Sequence, residues 1–301
     1  MLLCFNISFA QDYIDLFKVS YIQNFDHEFQ NFNQGTNIQS LEADLTLPIQ
    51  LDEKNAIITG FLYSQNALSL FPENNGFPDN ISERSTLYAT TLKLGINSVL
   101  SEKWSGAFVF LPKLSSDYID ISKDDFFLGG FSIFNYKKNE HLNYKLGGVV
   151  IQQTFGVVAI PLIGLYYESP SEKLEVDLTL PVAGDANYRI TPNTAFGVNY
   201  YGIGRSFDIH QDNVADYYVD YASLEFSGYF QYGILDNSVL LRAKAGYATF
   251  TGEAYAVGDD IDVRVAGLFD IGDNRTQLNP NISGGFFGKF EMVYRFDLSN
   301  R

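Results

Sequence analysis

The carboxyl-terminal run from Phe286 to Leu298 alternates with a period of two. Phe286, Gly288, Phe290, Met292, Tyr294, Phe296 and Leu298 share one parity, while Lys289, Glu291, Arg295 and Asp297 share the other; Phe287 and Val293 are exceptions. Successive strand side chains point to opposite faces, so this segment has one apolar and one charged face. The recipe recurs upstream. Leu41, Ala43, Leu45, Leu47, Ile49 and Leu51 alternate with Glu42, Asp44, Thr46, Pro48 and Gln50, and Leu174 to Val182 alternate with Lys173, Glu175, Asp177 and Thr179. Val239, Leu241, Ala243, Ala245 and Tyr247 oppose Arg242 and Lys244, and the pattern is weaker over 84–99 and 217–233. LEADLTLP at 41–48 and LEVDLTLP at 174–181 are nearly identical, which we read as convergence on one amphipathic strand rather than duplication.

Length separates two architectures that both alternate. Strands of a secreted β-sandwich average about five or six residues, whereas a tilted membrane crossing needs about ten. These runs persist for about ten to fifteen residues. Strands at 13–25, 37–50, 54–67, 84–99, 103–114, 125–137, 141–153, 159–168, 172–182, 185–191, 194–208, 216–233, 237–250 and 284–298 leave connections of two kinds. After even strands the link is short and turn-like, as at Asp52-Glu53, Asn139-Glu140 and Asp236-Asn237. Most odd strands are followed by longer links, such as 68–83 and 251–283. Short turns on one side and longer loops on the other are the pattern of an outer-membrane barrel. The expected fold is therefore all-β: a transmembrane, antiparallel, up-and-down β-barrel of about 14 strands. The region 172–191, with Ala183-Gly184 as its only outer turn, leaves 12 to 16 open.

Composition narrows the alternatives. The chain holds 26 Phe, 20 Tyr and 1 Trp with a charged fraction of 19%, too aromatic for a disordered acidic chain despite its net charge of -16. A pI near 4.5 offers no basic footprint for nucleic acid, and no nucleic-acid partner is expected. One cysteine, Cys4, excludes disulfide scaffolds and zinc ribbons, and no cofactor is expected. Residues 1–10 end in Ser8-Phe9-Ala10 and read as a residual signal peptide, leaving 11–301 as one barrel domain. The uncharged stretch Leu146 to Tyr167 is long enough for a spanning helix, but Gln152-Gln153-Thr154, Pro161 and its glycines make it two strands.

The chain resembles bacterial outer-membrane β-barrel proteins, in particular an uncharacterised Bacteroidota barrel family, a domain of unknown function. The resemblance rests on the Ser-Phe-Ala-Gln processing end, on Ile160-Pro161-Leu162 running into Leu165-Tyr166-Tyr167-Glu168, on LEVDLTLPVAG followed by Asn187-Tyr188-Arg189, and on the terminal strand. It implies the outer membrane of a Gram-negative cell, with membrane lipid and the barrel-assembly machinery as partners. The spacing of Phe290, Met292, Tyr294 and Phe296 is similar to the carboxyl-terminal signal read by that machinery, although residues 297–301 follow it. The family brings no substrate.

Catalysis is not expected. Ser206, Asp208 and His210 supply the residue types of a hydrolytic triad but lie in one short loop, and Glu42/Asp44 and Glu175/Asp177 read as water-facing wall rather than glycosidase dyads. The expected lumen residues are Glu42, Asp44, Lys93, Lys173, Glu175, Asp177, Arg242, Lys244, Lys289, Glu291 and Arg295, of both signs and so of little charge selectivity. Tyr13, Phe25, Tyr88, Tyr218 and Tyr247 are expected in interfacial girdles. The longest outer loop, 251–283, is the candidate for any occlusion of the lumen; its part 258–275 is Asp-rich, and Asp259, Asp260 and Asp262 form a calcium candidate of poor spacing. The reading that follows is a passive or weakly selective channel for small solutes. Its rivals are a non-conducting structural or adhesive barrel presenting acidic outer loops, and a secreted soluble β-sandwich.

Overall fold

The computed structural model describes residues 13–25, 27–73, 84–210 and 216–297. Fourteen antiparallel strands form the wall. They are β1 (Tyr13–Phe25), β2 (Gln39–Gln50), β3 (Asn55–Leu68), β4 (Ser85–Val99), β5 (Trp104–Phe110), β6 (Gly129–Lys137) and β7 (Leu142–Gln153). The second half continues with β8 (Gly156–Glu168), β9 (Leu174–Leu180), β10 (Ala183–Thr191), β11 (Thr194–Ile209), β12 (Tyr217–Ile234), β13 (Val239–Ala256) and β14 (Gly285–Asp297). Each pairs with its sequence neighbour, and β14 pairs back onto β1 from Tyr13↔Asp297 to Phe25↔Phe286. One sheet closed on itself is a barrel, which rules out the β-sandwich alternative. The amino-terminal segment read as a signal peptide lies outside the described residues.

The region that left the strand count open resolves into two strands with a turn at Pro181-Val182. Ala183 and Gly184 belong to β10, so the turn lies two residues earlier than the sequence suggests. Asp52 shows how a short link is made: its Oδ1 accepts the backbone N–H groups of Lys54 and Asn55, each at 2.8 Å. The links after even strands lie on the rim that also carries Tyr13 and Asp297, called here the terminal rim. The opposite, loop rim carries the longer connections. No helix among the described residues is long and apolar enough to cross a membrane, which says nothing of strands.

The wall is inside out relative to a soluble barrel. Leu146, Ile163, Val198 and Phe108 are each about 60% exposed on the outer face, whereas Lys93, Lys145, Arg205 and Glu291 are buried inside. Phe290, Tyr294 and Phe296 of β14 face outward as well. Among the aromatics expected in girdles, Phe25 and Tyr247 are exposed on the outer face, but Tyr13 points inward to hydrogen-bond Glu175 and Tyr218 is fully buried. A bulge between Asp15 and Phe17 shifts the parity of β1, so Asp15 and Lys18 both face the interior.

Candidate functional site

Alternating burial stops at the loop-rim end of β11 and β12. Arg205 to Ile209 and Tyr217 to Tyr221 are buried at every position, not at every second one. A strand buried on both faces has protein on both sides, so this hairpin end lies inside the mouth. On one face Phe207, Tyr217, Val219 and Tyr221 pack with Phe71, Leu87 and Phe250. On the other, Tyr218 packs with Phe155, Tyr255 and Ile261. Neighbouring segments tie it in place: Ser115 Oγ donates to the Ser206 carbonyl at 2.6 Å, Asp117 N–H to the Asp208 carbonyl at 3.1 Å, and Thr154 N–H to Ser206 Oγ at 2.8 Å.

The Asp-rich loop closes over this hairpin. Val263–Val265 adds in parallel to Val157–Ala159 of β8, and Ile261 N–H donates to the Phe155 carbonyl at 2.8 Å. Gly156 makes the approach possible: its φ is +134°, and a Cβ there would sit 2.5 Å from the Ile261 carbonyl oxygen. Two arginines then lock the loop down. Arg264 donates to both oxygens of buried Asp220 at 3.0 and 2.7 Å and to Asp270 at 2.6 Å, while Arg275 reaches Asp220 at 3.1 Å and Asp273 at 3.0 Å. Both guanidinium groups lie over the Phe155 ring, at 4.5 and 5.2 Å, and Arg275 also lies over Tyr255. Hydrogen bonds from Arg275 hold the Asp273 carboxyl below its ordinary range. This loop, the expected candidate for occlusion and also read as an acidic surface, is a clasp in which Asp270 and Asp273 are ion-paired to its two arginines. Asp259, Asp260 and Asp262 do not converge: among the described residues no group of three or more His, Cys, Asp or Glu is placed to hold a metal.

Beneath the closed mouth lies a cavity of about 160 Å³. Nine of the expected lumen residues line it: Glu42, Asp44, Glu175, Asp177, Arg242, Lys244, Lys289, Glu291 and Arg295. Lys93 is buried behind Asp44, to which it is paired. Lys173 is elsewhere, exposed in the turn 169–173, because β9 begins one residue after it. The pairs are Glu42 with Arg205 at 2.6 Å, Glu291 with Arg242 at 3.0 Å and Lys244 at 3.3 Å, Arg295 with Asp15 at 2.6 Å, and Lys145 with Asp177. Lys289 stands 3.8 Å from both Glu42 and Glu225. Asp15, Lys18, Asp185, Arg189, Arg205 and Glu225 also line the cavity and were missed in the sequence. The odd parity of Arg205 and Glu225 with Asn199 and Ser227 was the available signal; for Asp15 and Lys18 the bulge hid it.

The hydrolytic residues do not assemble. Ser206 Oγ bonds Gln153 Oε1 at 3.0 Å, whereas His210 Nε2 contacts Asp125 Oδ1 at 3.0 Å. The candidate dyads are taken up by separate partners, since Glu42 meets Arg205, Asp44 Lys93, Asp177 Lys145 and Glu175 the Tyr13 hydroxyl. Burial lowers the His210 pKa, but the hydrogen bond to Asp125 and the nearby Asp117 and Asp208 charges outweigh it and raise it above the ordinary 6.5.

Wall, clasp and cavity together define a closed 14-stranded β-barrel with an apolar, plugged mouth above an ion-paired chamber. The chain belongs to the family described as a domain of unknown function, DUF6268, whose model matches residues 6–255. No curated protein matches the chain. Among solved structures it is similar to the NanC porin, at 10% identity over 92% of this chain and 98% of that one with a TM-score of 0.36. It is similar also to the TodX monoaromatic hydrocarbon channel deltaS2 mutant, at 10% identity over 93% and 89% with a TM-score of 0.37. A third is a bacterial polysaccharide outer membrane secretin, at 9% identity over 94% and 99% with a TM-score of 0.37. Likeness at this level carries no substrate from those proteins to this one.

Proposed function

We propose that the protein is an outer-membrane barrel forming a gated passage for small solutes, closed at its loop rim in the conformation described above. The membrane reading rests on the inside-out wall, in which large apolar side chains are exposed outward while ion pairs are buried within. Lipid contacts that belt, the even-parity residues Phe290 to Phe296 of β14 offer the assembly machinery its signal, and the loop rim faces the cell exterior. The gate rests on one observation: the β11–β12 hairpin end is buried on both faces under a clasp centred on Asp220. A clasp of ion pairs on an apolar plug can be released without breaking the wall. The chamber lining has eight acidic and seven basic residues, which favours weak charge selectivity once open.

Single-channel recording of refolded protein in planar bilayers tests this. Wild type should be silent or open rarely, and deletion of 258–275, or Asp220→Ala, should give frequent steps with reversal potentials near zero under a salt gradient. A second reading, the non-conducting structural barrel, is favoured by the density of the plug, with two apolar clusters filling both sides of the hairpin. Absence of steps in both variants, with the barrel intact, would sink the passage and leave that reading.

A further inference from the structure

The chamber is two-sided. Leu62 of β3, Phe131 and Ile133 of β6, Val149 of β7 and Leu162 of β8 give it an apolar wall, while β11 to β14 with β1 and β2 face it with charge. Within the charged wall Arg205 is singular. It is 2% exposed and lines the cavity; its Nη2 donates to Glu42, but its Nε and Nη1 have no hydrogen-bond partner among the described residues. Tyr200, which also lines the cavity, has its hydroxyl in the same condition. Buried donors without acceptors are costly, and a guanidinium keeps its charge under all ordinary conditions. Glu42, its one carboxylate partner, also stands 3.8 Å from Lys289, so two cations share it and the free guanidinium edge is left to meet an added anion.

We infer that the chamber is a binding site for a small amphiphilic anion, its carboxylate held by Arg205 and its apolar tail against Phe131, Ile133 and Val149. The volume fits a short tail, since a cavity of roughly 150 Å³ takes one benzene. The inference concerns occupancy and needs no conduction, so it goes beyond the gated-passage reading and can fail or succeed apart from it.

Calorimetric titration of the full refolded barrel in non-ionic detergent, with hexanoate as the probe, tests it. Hexanoate should bind saturably at one site, with acetate, which lacks the tail, and hexanol, which lacks the charge, each at least ~10-fold weaker, and hexylammonium not bound. Arg205→Met should weaken hexanoate at least ~10-fold while Lys289 still faces Glu42. Ile133→Trp, which fills the apolar side without touching Arg205, should do the same and decides the matter if Arg205→Met fails to fold. Unchanged hexanoate affinity in a folded variant, hexanol or hexylammonium binding as tightly as hexanoate, or no saturable binding would overturn the site.

Discussion

The two halves of the barrel interior solve one problem in opposite ways. A wall of fourteen strands encloses more space than side chains from the wall alone fill easily. Near the loop rim the filling is chain: a hairpin end folds inward, is buried on both faces and packs aromatic side chains against Phe71, Leu87 and Phe250. Below it no chain enters among the described residues, and charged side chains pair with one another, Arg242 with Glu291 and Arg295 with Asp15 between neighbouring strands and Arg205 with Glu42 across the barrel. The first half is held mainly by apolar burial beneath the Arg264 and Arg275 clasp; the second relies on paired buried charges. The difference predicts that the halves fail differently: loss of a charge below should threaten the barrel, and loss of a charge above should open it.

The largest effect is expected from Glu291→Ala, which leaves Arg242 and Lys244 unmatched inside the wall. Removing one partner of a buried pair costs about 3–5 kcal/mol, and the denaturant midpoint of the heat-modifiable form should fall accordingly. A midpoint close to wild type would mean that water reaches this pair freely. Phe250→Ala removes an aromatic from the upper plug and should cost about 3 kcal/mol in the same assay. Its distinguishing sign is leak current, which Glu291→Ala should show only if the barrel is partly unfolded. On the outer face, Leu146→Lys puts a charge where lipid is expected and should cost about 2–4 kcal/mol if it lies near the midplane. A neutral result would contradict the membrane assignment.

The smallest effect concerns His210 beside Asp125. Because the folded-state pKa is raised, its stabilisation is fully present below the unfolded value near 6.5 and fades as pH rises through the folded value. Comparison of wild type with His210→Gln should therefore show a gap of up to about 1 kcal/mol below pH 6.5 that narrows as the pH is raised above it. A gap that grows with pH would reverse the sign and place the proton elsewhere.

These two halves were unequally legible in the sequence. The chamber wall followed from parity, since Glu42, Asp44, Lys289, Glu291 and Arg295 alternate with lipid-side residues and a period of two leaves them only one face to share. Parity failed where backbone geometry broke it, at the β1 bulge that turns both Asp15 and Lys18 inward. Lys173 failed for another reason: it has the right parity but precedes the first residue of β9. The hairpin part of the plug was not read, although Tyr217-Tyr218-Val219 and Tyr221 place large apolar groups on both parities, which is what double-sided burial requires. The clasp's loop was singled out as the source of any occlusion, but its ion pairs were not legible, because Asp220, Arg264 and Arg275 are brought together by the parallel addition of Val263–Val265 to β8. Read as composition, that loop is acidic; folded, its two arginines pair with Asp270, Asp273 and the Asp220 of β12.

The central consequence of the plugged mouth is that solvent does not reach the chamber from the loop rim. It can be measured in a Cys4→Ser background carrying Asn199→Cys, which puts a single thiol in the chamber lining. A charged thiosulfonate is then added from either side of the reconstituted, oriented barrel. Fast modification from the terminal-rim side and almost none from the loop side is the predicted result. Equal rates from both sides would mean that the mouth is open, and the account of a plugged barrel would fall.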